Sequence, residues 1–149
     1  MSEKFKLCVA VHVFFLRGDE VLLLRRANTG YEDGNYGVVA GHLDGDETVL
    51  EAAAREALEE AGVTPTDLRI ASVMHRKSND ERVDFFLTAS DWLGDIVNTE
   101  PDKCDDLRWF PADALPENTI PYIRRALQNV LAERPFDLYG WANRGEVHV

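Results

Sequence analysis

Glu56, Glu59 and Glu60 stand at positions i, i+3 and i+4, directly after Arg55, in a stretch from Glu47 to Ala61 that contains neither proline nor glycine. On a helix those spacings bring side chains onto one face, so three carboxylates are expected to converge. Glu56 and Glu60 then form a like-charge pair costing about 0.2–0.5 kcal/mol in an isolated helix. Glu47 to Glu60 holds five glutamates against one arginine, and an Arg55–Glu59 pair leaves Glu56 and Glu60 uncompensated. A divalent cation would neutralise them: carboxylate oxygens suit Mg²⁺ or Mn²⁺, and Mg²⁺ keeps several waters while bridging to substrate phosphates. A solvated acidic helix face is the competing explanation, and the glutamates alone do not decide between the two.

On the same helical wheel Leu50, Ala54, Ala57, Leu58 and Ala61 share an arc that reads as the core face. Val49, Ala52 and Ala53 lie on the carboxylate side, where short side chains leave space above the glutamates. Gly62 and Pro65 end the helix.

The context of the glutamates is Gly41, Glu47, Arg55-Glu56-Ala57-Leu58-Glu59-Glu60 and Gly62-Val63 at fixed intervals. This resembles the Nudix box, G-x5-E-x7-R-E-U-x-E-E-x-G-U with U aliphatic, over residues 41–63, and all seven fixed positions match. Ala57 departs from the aliphatic pattern but is still apolar. A single domain over residues 1–149, with the α/β/α sandwich and mixed sheet of the family, is what the resemblance implies. The match is to the MutT-like small nucleotide pyrophosphohydrolases, in which a metal-activated water attacks a diphosphate. By position, Glu56 and Glu60 become metal ligands, Glu59 a ligand or general base, and Gly41 a backbone group near the metal. Glu47 and Arg55 brace the site. Asn98-Thr99-Glu100-Pro101-Asp102-Lys103-Cys104 resembles the N-x-E-P-x-K-C segment of small Nudix enzymes acting on nucleoside triphosphates, and Glu100 is favoured over Asp102 as a fourth carboxylate. Near Ile120-Pro121-Tyr122 the acidic base-reading residues of oxidised-guanine-specific relatives are missing.

A diphosphate resists attack because its oxygens repel the nucleophile, so a catalyst must neutralise charge and position water in line. Arg25, Arg26, Arg76 and Lys103 are candidates for phosphate contacts, and Tyr31 and Tyr122 for stacking on a base. His42 and His75 are read as packing residues first. A catalytically silent nucleotide- or protein-binding module of the same fold is the alternative to a hydrolase. An isomerase of the superfamily acting on isopentenyl diphosphate lacks a matching cysteine context.

These residues need elements to hold them. Cys8–Leu16 and Val21–Leu24, rich in strand formers, flank a Gly-Asp turn and predict a hairpin. A loop carrying Gly30 and Gly34 leads to a strand over Tyr36–Ala40, and the helix spans Glu47–Ala61. Leu68–His75 and Arg82–Ala89 predict a second strand pair. A loop over Gly94–Asp106, a short strand over Leu107–Phe110 and a second helix from about Ile120 to Glu133 follow, with the tail from Pro135 left open.

Composition sets the outer limits. The 149 residues are 45% apolar and 29% charged, enough for a core without disulfide or metal staples, which excludes disorder and collagen-like repeats. The net charge of −11 argues against a DNA duplex or an anionic membrane as partner and leaves a small phosphorylated substrate, met through cations. A homodimer is compatible with the sequence. Cys8 and Cys104 are isolated, and His12, His42, His75 and His148 show no zinc-ligand spacing, so free thiols in a reducing compartment are expected. The apolar run Leu7–Leu16 is too short to cross a bilayer and no cleavage site follows it, so a cytoplasmic location is expected.

Overall fold

Strand β1 (Cys8–Arg17) organises the molecule. The computed structural model describes residues 3–142, and His148 lies outside them. β1 turns through Gly18, at a φ of 60°, into β2 (Glu20–Arg26), as the apolar runs around the Gly-Asp signal require. The expected strand over Tyr36–Ala40 is instead two: β3 (Tyr36–Gly37) pairs with β2, and β4 (Val39–His42) pairs with β1. The chain thus crosses from one strand of the hairpin to the other within a few residues, which delivers Gly41 to the foot of the helix that follows.

Further strands are β5 (Thr64–Pro65), β6 (Arg69–Lys77), β7 (Glu81–Ala89), β8 (Trp92–Leu93), β9 (Cys104–Pro111) and β10 (Phe136–Tyr139). β7 runs parallel to β1, with His12 opposite Phe86 and Ala10 opposite Asp84, and antiparallel to β6. β9 starts earlier than the sequence predicts and extends β2, while the open tail supplies β10, parallel to β6. Together these form an eight-stranded mixed sheet, with β5 and β8 as a separate pair.

One helix covers each face. Because β1 alternates, Val11, Val13 and Phe15 enter a core with the alanines of α1 (Val49–Ala61), while Phe14 enters a second core with Ile123, Ala126 and Leu127 of α2 (Pro121–Leu131). This is the α/β/α layering that the resemblance implies. Thr48 caps α1 and forms a reciprocal capping box with Glu51, so the helix begins two residues later than expected; Gly62, left-handed at φ 72°, ends it.

The orientation of α1 overturns the core face read from the sequence. Ala52, Ala53, Glu56, Ala57 and Ala61 are buried, whereas Leu50 and Leu58 are 46% and 56% exposed. α1 packs on β4 and β1 through its alanines, whose small side chains allow close approach. Leu50 and Leu58 are apolar enough to enter a core, but the carboxylate side is the side turned to the sheet.

Candidate active site

The center of the site is a guanidinium held in a fixed fork. Arg55 donates to both oxygens of Glu47, from Nε at 3.1 Å and from Nη2 at 2.8 Å, and from Nη1 to Glu56 Oε1 at 2.8 Å. Nη2 also donates to the His42 carbonyl at 3.3 Å. Glu47 is tied a second time by the Asp44 backbone N–H, at 3.0 Å. Its hydrogen bonds from Arg55 and Asp44 hold the Glu47 carboxyl below its usual range. Arg55 keeps the expected i, i+4 pair with Glu59, at 3.6 Å, but also compensates Glu56, the adjacent residue, which corrects the expectation that Glu56 is left unpaired.

Gly41 closes the arrangement from the sheet side. A Cβ built there would overlap the Glu56 carboxylate, so only glycine admits that carboxylate against β4. Glu60 lies one turn further along α1, and the Ala40 backbone N–H is 3.4 Å from its Oε1. Burial, then a hydrogen bond shared with Glu56 and the charge of Glu56, push the Glu60 carboxyl well above the carboxylate range. Two carboxylates thus stand together at a site where a second full charge is costly.

Glu59 does not join them. Its side chain is 54% exposed, so the three expected carboxylates become an inward pair and an outward third. No three His, Cys, Asp or Glu groups among the described residues stand together in a metal-ligating arrangement. The inward pair still has the chemistry a hard divalent cation requires: two carboxylates in contact, a cradle that excludes a Cβ, and a local surplus of negative charge.

Two cavities open beside this pair. A cleft of about 180 Å³ is lined by Glu60, Glu100, Arg25, Arg26 and Lys103. Asp102 is exposed and is not among the residues of that cleft. Arg25 is committed to Asp105 at 2.7 Å, and Arg26 donates to the Tyr31 carbonyl at 2.7 Å. Thr99 Oγ1 donates to the Glu59 carbonyl and fastens the Glu100 loop to α1. A larger cavity of about 590 Å³ lies on the α2 side of the sheet, with Gly41, Arg26, Tyr31, Arg76 and Tyr122 in its walls. Arg76 and the two tyrosines thus stand apart from Arg25 and Lys103, and Arg26 lines both cavities.

Sequence reasoning missed the polar group in the larger cavity. Asp84 is fully buried and accepts from Arg76 Nε at 2.7 Å and from His12 Nε2 at 3.1 Å. Burial alone would raise Asp84, but the hydrogen bonds and charge of its two partners outweigh it and hold it low. Burial depresses His12, so near neutral pH its imidazole is a neutral donor to Asp84. The signal was available: Asp84 and His12 sit at inward positions of strands whose neighbours there are Phe86 and Phe14. Elsewhere His75 is bound to Glu81 at 2.8 Å, Cys8 and Cys104 are free thiols as expected, and Trp92 and Trp109 stack at the edge of the α1-side core. No helix among the described residues is long and apolar enough to cross a membrane.

Comparison with known proteins agrees with this geometry. The NUDIX domain model matches residues 6–130. The NAD-capped RNA hydrolase NudC of Pseudomonas aeruginosa is 33% identical over 135 residues, covering 90% of this chain and 44% of that protein. NudC of Shigella flexneri is 30% identical, with 84% and 47% covered. The chain therefore spans less than half the length of these curated relatives. Among solved structures, the MutT NUDIX hydrolase from Burkholderia pseudomallei superposes with a TM-score of 0.77 at 27% identity, covering 83% of this chain and 98% of that one. The MutT protein from Methanosarcina mazei, at 22% identity and a TM-score of 0.73, shares the fold over 89% of this chain and 98% of its own. With the family model matched over most of its length and the box residues gathered at one site, the chain belongs to the Nudix family.

Proposed function

We propose that this chain is a Mg²⁺- or Mn²⁺-dependent pyrophosphohydrolase that cleaves a phosphoanhydride bond of a nucleoside triphosphate or another nucleoside diphosphate derivative. The observation that carries this reading is the Glu56–Glu60 pair, pressed inward against Gly41 and braced by Arg55, beside a cleft lined by cationic side chains. An ordinary acidic helix turns its glutamates to water; here two of them face the sheet at an energetic cost that a cation offsets.

Glu56, Glu60 and the backbone at Gly41 would hold the metal. When bound, a divalent cation neutralises phosphoryl oxygens and makes a water more acidic. Lys103, Arg25 and Arg26 orient the phosphates that lie away from the glutamates. Glu100, which lines the cleft, or Glu59, exposed on the adjacent helix surface, would take a proton from the attacking water. Arg55 and Glu47 hold Glu56 in position.

The names of the NudC relatives favour including dinucleotide ends among the substrates tested. The experiment is product release from a panel of nucleoside triphosphates, nucleoside diphosphate sugars, NAD and NAD-capped RNA, with and without Mg²⁺. Metal-dependent turnover of at least one member, lost in Glu60→Gln, is expected. No turnover of any member, or an unchanged rate in Glu60→Gln, overturns the proposal and favours a silent nucleotide- or protein-binding module.

A further inference from the structure

The larger cavity contains a buried cation whose hydrogen-bonding capacity is mostly unspent. Arg76 is 4% exposed, yet among the described residues its only side-chain hydrogen bond runs from Nε to Asp84. Among the described residues neither terminal guanidinium nitrogen has a partner, and neither is sealed from the cavity that Arg76 lines. The Tyr122 ring covers one face of the guanidinium, 3.7 Å from Cζ to the ring centroid. With Nε pinned and one face covered, what remains is the edge: a planar fork of N–H donors.

Such an edge pairs with two adjacent acceptors, and local charge decides what kind. Arg76 already faces the Asp84 carboxylate, and Arg82, in the same wall, faces Asp80 at 3.0 Å. At the Arg76 edge itself the arginines are balanced by carboxylates, and the cavity's remaining arginine, Arg26, is tied to the Tyr31 carbonyl, so that edge suits a neutral heterocycle better than a phosphate, which Arg26 is left to meet. Tyr31 and Tyr122 in the walls suit a flat ring.

We propose that Arg76, held by Asp84, reads the O6/N7 edge of a guanine, making this site selective for guanine nucleotides. Guanine offers two acceptors on that edge, whereas adenine replaces one with an amino donor that the guanidinium repels. An oxidised guanine carrying hydrogen on N7 is rejected for the same reason. The inference rests on the nucleotide reading above and names the base within it.

The test is calorimetric titration of the wild-type protein, at fixed Mg²⁺, with GMP, AMP, CMP and 7-deazaguanosine 5′-monophosphate. None of these has a phosphoanhydride bond, so the result is independent of hydrolysis. GMP is expected to bind at least about tenfold more tightly than the other three, the 7-deaza compound losing affinity because it lacks N7. Arg76→Lys is expected to erase the preference while leaving AMP affinity within about twofold. Should that variant not fold, the 7-deaza comparison in the wild type decides. Equal affinity for GMP and AMP, equal affinity for GMP and its 7-deaza analogue, a preference for CMP, or no saturable GMP binding overturns the inference. Turnover of the nucleotide panel with equal affinities sinks this inference alone; selective GMP binding without turnover sinks the proposed activity alone.

Discussion

Arg55 donates to Glu56, its immediate neighbour on α1, at 2.8 Å, although the two side chains leave the helix about 100° apart. The contact forms because Glu47, ahead of the helix, holds the guanidinium by both its oxygens and draws it back across the face on which Glu56 is buried. Removing the cation leaves a buried carboxylate unpaired. Arg55→Ala is therefore expected to lower unfolding free energy by about 1–3 kcal/mol and to raise the Mg²⁺ concentration needed for half-maximal activity. Urea unfolding and a metal titration of turnover check both; unchanged values in the two would remove Arg55 from the site.

Gly41→Ala tests the cradle directly. The new methyl group would overlap the Glu56 carboxylate, so one of the two must move. Turnover of the preferred substrate is expected to fall by at least about tenfold, because small displacements in a positioned site are costly. Ala40→Gly, one residue away, serves as the control for a general loosening of β4.

The direction in which α1 faces is open to a paired substitution. Leu58→Lys, on the exposed side, is expected to change stability by less than about 0.5 kcal/mol. Ala57→Leu, on the buried side, forces extra volume against β1 and β4 and is expected to cost about 1–3 kcal/mol. Thermal or chemical unfolding of the two variants separates them. The reverse order would mean that the leucines, not the alanines, face the sheet.

His12 predicts a specific pH dependence. Burial lowers its folded pKa below the ordinary 6.5, while Asp84 opposes the shift and Arg76 and Arg82 reinforce it. Below pH 6.5 the unfolded chain takes up a proton that the folded chain refuses, so this contribution is complete above 6.5 and declines as pH falls toward the folded value. Stability is therefore expected to fall as pH drops from 6.5 to 5.5. In His12→Gln, which keeps a donor for Asp84, the slope over that interval should flatten. An unchanged slope would assign the dependence to other groups.

Much of this site was legible in the chain because its residues are local. The box from Gly41 to Val63 is one continuous segment in which helical spacing, the Gly62 stop and the glutamate count all point the same way. The strand pairs and the two helices were legible from the residues, while the α/β/α layering with a mixed sheet came from the resemblance of the box to the Nudix family. Two features were not legible. A helix whose small residues lie on both sides of its wheel has no unique buried arc, and only docking on β4 and β1 turned Ala53, Glu56 and Ala57 inward and left Leu50 and Leu58 outside. Likewise, His12, Arg76 and Asp84 lie 72 and 8 residues apart along the chain, so no spacing rule joins them. The sequence by itself determined the chemistry of the carboxylate helix, because i, i+3 and i+4 geometry is a property of the backbone. Tertiary structure alone decided which carboxylates are buried and where Arg76 points, because those depend on the parallel pairing of β1 with β7 and on the layers packed against it.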